Sequence, residues 1–397
     1  MYTYSISRRT EVRKTGLVIN PNKWTKKGAG MKRYQPYSYQ DQITGRVQDL
    51  ARQELDKLLA GQQKYIYATK RILAGSQMEV EVYPEFTRLP AGIKREKDRA
   101  AQRDLNDRNS RKECIRTINA NFGPQDFWAT LSYAAGNEPL DFEEAQKNIR
   151  NYIKRLNYRR KKADLPPARY VYVTEWQEGG EDKEEIRCHH HIVLDGQLPM
   201  DEVESCWKLG RRNQVRRLDY DQNGLIGLGT YITKAPRGKK KWCASVGLKK
   251  PAQRKNHRDF GPGAMKKMAR DPKEIAARLE KKYPGYWYEA ASLRCNPVNH
   301  LLYLEARMRK RAAPGDRVSI LHELLDGVRL PCGGREIWMV EEVEDRAGRP
   351  WAKIRAGNRT AWAPAISLAV VPWREEQGGA ACKHISRTAA RKRNRQR

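Results

Sequence analysis

The sequence predicts an α+β fold: a central antiparallel sheet flanked by helices, followed by a small all-β region and a basic tail. Three observations predict it. Runs rich in β-branched, aromatic and aliphatic residues at 127–133, 168–176 and 187–194 read as strands, and a short acidic, Gly-rich segment between the last two reads as a hairpin loop. Between the first two strands, Phe142, Ala145, Ile149, Tyr152, Ile153 and Leu156 recur at helical spacing. After Ala312-Ala313-Pro314-Gly315 the pattern changes to short β-like runs with turns at Ala347-Gly348 and Ala356-Gly357-Asn358, the spacing of a small SH3-like barrel.

In order, residues 1–110 read as a basic, helical N-terminal region, with an amphipathic helix at 40–59 and a doubly charged helix at 88–112. A second region spans 111–310. It opens with Ile115, Ile118 and Phe122 at helical spacing, which Gly123-Pro124 interrupts before the first strand. Pro139 leads into the helix at 142–160, whose outer side carries Lys147, Arg150, Lys154 and Arg155. Pro166-Pro167 ends that helix. Beyond the hairpin come a short helix from Asp201, a strand at 215–220, and a helix for which Asn223 is the expected N-cap. That helix buries Leu225, Leu228, Gly229 and Ile232 and turns Gly227, Tyr231 and Lys234 the other way. Helical glycines cost about 1 kcal/mol each relative to alanine, so Gly227 and Gly229 point to close packing or close approach of a ligand. A helix at 271–283 and strands at 286–294 and 299–308 close the region. Residues 314–375 form the small β domain and 376–397 a disordered basic tail.

Composition narrows the function classes. The 397 residues hold 79 Lys plus Arg against 47 Asp plus Glu, a formal charge of +32. Self-repulsion of that size is offset by a polyanionic partner, and nucleic acid is the first expectation. Ten Lys or Arg and no acid fall between Lys234 and Arg258; Arg237, Lys239, Lys240, Lys241, Lys249, Lys250, Arg254 and Lys255 are the expected phosphate contacts. The seven cysteines are scattered, odd in number and free of C-x-x-C pairs, which predicts reduced thiols rather than a disulfide framework. No signal-peptide core and no membrane-length apolar run occurs, so a soluble, intracellular chain without membrane partners is expected.

The run Arg187-Cys188-His189-His190-His191-Ile192-Val193-Leu194 organises the rest. Side chains alternate along a strand, so His189 and His191 share one face and His190 takes the other. An antiparallel hairpin would bring Glu175 beside them. A polar strand end, a structural zinc site and a catalytic ion all remain compatible with the histidines alone.

Three elements then stand in fixed order: Thr130-Leu131-Ser132-Tyr133, Glu175 with His189-His190-His191, and Tyr231-Ile232-Thr233-Lys234. Across roughly 110–310 this resembles the HUH endonuclease superfamily, and most of all the rolling-circle replication initiators of small phages and plasmids of the filamentous-phage and microvirus type. Residues 241–251 also resemble the stretch after the tyrosine helix in those phage proteins. His190 stands where the family usually has an apolar residue, Ser132 replaces a threonine, and one tyrosine stands in the third motif. The resemblance implies Glu175, His189 and His191 as ligands of Mg²⁺ or Mn²⁺, Tyr231 as nucleophile and Lys234 as its helper. It implies nicking of origin DNA, single-stranded or duplex, through a 5′-phosphotyrosine link with a free 3′-OH primer, and later resealing. Host helicase and polymerase would be partners in a bacterial cytoplasm. A relaxase or single-strand transposase would share this chemistry, while a non-catalytic basic DNA-binding protein with a structural metal would lack it.

Overall fold

The structure is a computed structural model that describes residues 4–6, 65–86, 99–177, 185–210, 214–234, 236, 238, 240–295, 301–321, 324–325, 328–329 and 336–372. The expected helix at 40–59, most of the hairpin loop, Arg237, Lys239 and the basic tail lie outside these residues.

The chain runs through β1 (Tyr4–Ile6), β2 (Tyr65–Ala74), β3 (Gln77–Phe86), α1 (Arg99–Asn121), β4 (Phe127–Ser132) and α2 (Phe142–Lys162). It continues through β5 (Tyr170–Gln177), β6 (Ile186–Leu194), α3 (Met200–Ser205), β7 (Gln214–Arg217) and α4 (Ile226–Ile232). Next come β8 (Cys243–Ala244), β9 (Ala252–Asn256), α5 (Pro262–Arg270), α6 (Lys273–Lys282), β10 (Tyr286–Cys295) and β11 (Leu302–Lys310). The last part holds β12 (Arg317–Ile320), β13 (Leu324–Leu325), β14 (Val328–Arg329), β15 (Ile337–Arg346), β16 (Arg349–Ala356), β17 (Arg359–Pro364) and β18 (Leu368–Val370). The fold is α+β, as the sequence predicts.

Two antiparallel sheets share the helix α1. A five-stranded sheet, in the order β7-β4-β6-β5-β8, places the histidine strand in its centre. One face packs on α2 and α3 through Phe127, Ala129, Leu131, Ile192 and Leu194, against Ile149, Tyr152, Ile153, Leu156 and Val203. Asp141 caps α2 by accepting the Glu144 N–H at 2.7 Å, and the basic last turn suits the helix dipole. The other face, through Val171, Val173 and Val193, meets Cys114, Ile118 and Phe122 of α1 and Leu225, Leu228 and Ile232 around α4.

The second sheet has six strands in the order β1-β10-β11-β3-β2-β9. Here the structure adds to the sequence reading, which has no strand before residue 127 and places 286–310 with the histidine strands. One side of this sheet packs Met78, Val80 and Val82 against Met265, Met268, Ile275 and Leu279 of α5 and α6. The other turns Glu79 and Glu81 toward Arg116 of α1, at 2.5 and 3.1 Å, while Lys112 reaches Glu305 at 3.1 Å. Buried charges are tolerated there because each finds an opposite partner.

Strands β12 and β15 to β18 form a third sheet, in the order β17-β16-β15-β12-β18, around Val318, Trp338, Val340, Ile354 and Leu368, while among the described residues β13 and β14 pair only with each other. Its end strands do not pair with each other among the described residues, so no closed barrel forms there. Ala369 and Val371 join the core that surrounds α1. Arg309 donates to the carbonyls of Leu368 and Ile366. Among the described residues no helix is long and apolar enough to cross a membrane, and the five cysteines there are free.

Candidate active site

β6 pairs on both sides, so its register is fixed twice: His189 stands opposite Glu175 and Ser132, His190 opposite Thr174 and Leu131, and His191 opposite Val173 and Thr130. The pleat therefore sends His189, His191 and Glu175 to the face toward α1 and α4. One Glu175 carboxylate oxygen lies 3.3 Å from Nε2 of His189 and 3.3 Å from Nε2 of His191, and the two Nε2 atoms are 3.1 Å apart. Glu175 and His191 are buried, and His189 is half-buried.

The far side of each imidazole is also held. His189 donates from Nδ1 to the Arg187 carbonyl at 2.8 Å, which aims Nε2 inward at Glu175 and His191. His191 Nδ1 meets the Thr130 hydroxyl at 3.1 Å. Such outer hydrogen bonds fix the tautomer and aim of a metal-ligating histidine. Burial alone would raise the Glu175 carboxyl, but hydrogen bonds from His189 and His191 outweigh it and hold it at about 2. Burial lowers His191, and only part of that is offset by Glu175; at His189 burial is outweighed by Glu175 and the Arg187 carbonyl, so its value is raised. A metal ion would take the place of the ring protons in those hydrogen bonds, because deprotonated Nε2 atoms and one full negative charge repel each other unless a cation lies among them. Glu175, His189 and His191 could hold a metal ion. Adjacent ligands on an octahedral ion bonded at about 2.1 Å stand about 3.0 Å apart, and tetrahedral zinc spreads them to about 3.3 Å. The group fits either.

His190 faces the opposite way into the core. Thr174 Oγ1 lies 2.9 Å from its Nδ1 and the Tyr133 hydroxyl 2.8 Å from its Nε2. Burial, then the charges of His189 and His191, lower its value to about 3, so it stays neutral. Trp207 stacks edge-on at 5.6 Å. His190 is thus not part of the convergent group.

Tyr231 comes to the group from α4. Its ring lies 5.3 Å from that of His191 and 6.2 Å from that of Trp128, edge-on to both. Tyr231 is half-buried, and it packs against the core that its helix completes, rather than standing clear of it. The helix begins at Ile226 with Leu225 as N-cap, and not at Asn223, whose own N–H is taken by Asp221 at 2.6 Å. The two helical glycines differ. A Cβ on Gly229 would stand 2.9 Å from Ile115, whereas Gly227 faces open space one turn before Tyr231.

Lys234 is exposed just past the helix. The chain then bridges at Pro236 to Glu175, and β8 continues along β5. Of the expected phosphate contacts, Lys240, Lys249, Lys250 and Arg254 are exposed. Lys241 pairs with Asp107 at 3.4 Å and Lys255 with Glu85. Arg254 and Lys255 lie on β9, in the six-stranded sheet, so the basic run is divided between two sheets. Trp128 and the Arg187 carbonyl are site groups that the sequence reading does not single out, and Thr130 is named there only as part of the first motif, without a role. Thr130 sits in the first motif directly opposite His191, and that pairing is the signal that points to it.

Residues 126–236 match the family model described as Replication-associated protein ORF2. That segment runs from just before β4 to the end of the tyrosine helix and contains every residue of the convergent group. The match supports a replication-initiator role. No curated protein and no solved structure matches the chain.

Proposed function

We propose that this protein starts rolling-circle replication by nicking origin DNA with Tyr231 and later resealing the strand. The observation that carries the reading is the meeting of Tyr231 with His191 beside Glu175 and His189, within the segment that matches a replication-associated family. A divalent ion held by Glu175, His189 and His191, Mg²⁺ or Mn²⁺, would supply Lewis-acid polarisation of the scissile phosphate.

The chain's own groups do the rest. The Tyr231 oxygen bonds to phosphorus, the 3′-oxygen leaves, and the phenolic proton ends on that 3′-oxygen. The product is a 5′-phosphotyrosine with a free 3′-OH, and the reverse exchange rejoins the strand without ATP. Packing against Trp128 and His191 orients the tyrosine ring, so less freedom is lost at the attack. Lys234, Lys240, Lys249 and Lys250 would hold backbone phosphates.

Supercoiled DNA of the cognate replicon, incubated with the protein and Mn²⁺, tests this. The expected products are open circles with protein attached covalently to a 5′ end. Retarded DNA that stays supercoiled would instead identify a non-catalytic binding protein.

A further inference from the structure

The tyrosine helix α4 has little that is local to hold it. It is seven residues long, it has no side-chain cap at its start, and it contains Gly227 and Gly229. A helix this short is not stable by itself. Its position is imposed by α1, through three contacts at a matching interval.

At the start of α4, the Leu225 N–H donates to Asn119 Oδ1 at 2.8 Å. In the middle, Gly229 lets the backbone come so close that a Cβ there would lie 2.9 Å from Ile115 Cγ1. At the end, Arg111 donates from Nε to Thr233 Oγ1 at 3.0 Å and from its terminal nitrogen to the Thr230 carbonyl at 2.8 Å. Residues 111, 115 and 119 are successive i, i+4 positions on one face of α1. They meet 233, 229 and 225, which step by the same interval in the opposite direction, about 12 Å along each helix. The three form a rail along which the tyrosine helix is laid.

Arg111 is the polar lock of that rail. The Thr233 hydroxyl donates to the Gly229 carbonyl at 2.6 Å, so its oxygen is left to accept from Arg111. The guanidinium also satisfies a carbonyl at the helix C-terminus, where a cation is favoured. Only a planar fork reaches both acceptors. Tyr231 lies between Thr230 and Thr233, so any swing of this turn moves its oxygen. The next part of the chain is tied to the same helix, with Trp242 Nε1 donating to the Ser110 carbonyl at 3.0 Å.

We propose that Arg111 is a positioning residue for the nucleophile, fixing the C-terminal turn of α4 so that Tyr231 stays against His191. This rests on the reading of Tyr231 as the attacking group.

The test is single-turnover formation of the Tyr231 adduct at saturating replicon DNA, with Mn²⁺ and DNA affinities measured separately. Arg111→Ala and Thr233→Val should each slow adduct formation by about tenfold to about a hundredfold, the effect of displacing a reacting atom by about 1 Å. Both affinities should stay within about twofold of wild type. Added guanidinium ion should restore part of the rate to Arg111→Ala and none to Thr233→Val. Wild-type rates in both variants, or a rate loss matched by an equal loss of Mn²⁺ or DNA affinity, would overturn the proposal. If Arg111→Ala does not fold, Thr233→Val alone decides, since it leaves α1 intact. A wild-type adduct on another tyrosine, seen before any variant is made, would remove the nucleophile reading and this proposal with it.

Discussion

Glu175 and His189 face each other across directly paired strands, with a carboxylate oxygen of one 3.3 Å from Nε2 of the other. The contact joins two segments that the hairpin loop separates in sequence. It makes metal binding a property of strand register: a slip by one residue would turn the ligand to the wrong face.

Removing a ligand should separate chemistry from binding. His191→Ala is expected to abolish nicking while DNA affinity stays within a few-fold, because phosphate contacts elsewhere supply most of it. Thr130→Val keeps all three ligands and loses only the group behind His191. Its Mn²⁺ affinity should drop by about 10- to 100-fold in calorimetry. An unchanged value would show that Thr130 does not orient the ring.

Tyr231→Phe should fold, bind Mn²⁺ and DNA, and give neither nick nor adduct. Phenylalanine keeps the ring contacts with Trp128 and His191 and lacks only the oxygen that bonds phosphorus. Mass spectrometry of the nuclease-trimmed wild-type adduct should place the nucleotide on the peptide that contains Tyr231. Nicking that persists in the variant would end the assignment.

His190→Leu tests the opposite face. An apolar residue is usual there in the family the sequence resembles, which alone predicts a mild effect. In this chain, however, both ring nitrogens have hydrogen-bond partners in the core. The substitution should lower stability by about 1–3 kcal/mol in denaturant unfolding while leaving nicking by the folded fraction intact. Because His190 stays neutral in the folded chain but takes up a proton near pH 6.5 once unfolded, the wild type alone loses stability as pH falls, so that cost should shrink by up to about 1 kcal/mol between pH 8 and pH 6.

Acid sensitivity should trace to Glu79. Burial pushes its carboxyl up, but Arg116 more than compensates, so the folded value lies below the ordinary one. A depressed carboxyl contributes stability above its unfolded value, about 4.3, and loses it as pH falls through the folded value. Glu81 and Glu305, raised by burial, act with the opposite sign. The difference in Tm between wild type and Glu79→Gln isolates the effect. It should be largest at pH 5–7 and close as pH falls below about 4.

Much of the site is legible in the sequence because strand alternation is strict. The sequence alone places His189 and His191 on one face and His190 on the other, and antiparallel pairing brings Glu175 to them. The strand β3 carries an equally clear signal, Met78, Val80 and Val82 alternating with Glu79 and Glu81. Those glutamates make the segment read as polar surface, yet they face Arg116 and Lys112 rather than water. The start of α4 is hidden for a different reason. Local propensity favours Asn223 as cap, but the N–H that needs capping is satisfied by Asn119, far away in sequence. The basic run is continuous in sequence and divided in space, because β9 leaves the site sheet to pair with β2.

The seating of Ala369 and Val371 in the core around α1 bears on how the protein is made. Every residue of the candidate active site has left the ribosome long before residue 371 is added. Until then the apolar side of α1, with Cys114, Ile118 and Phe122, lacks its last cover, and α1 is the helix on which the tyrosine rests. A growing chain, or one ended by a premature stop, holds the whole set of reactive groups without the segment that seals their support. The last cover of α1 is thereby added only once synthesis has passed residue 371.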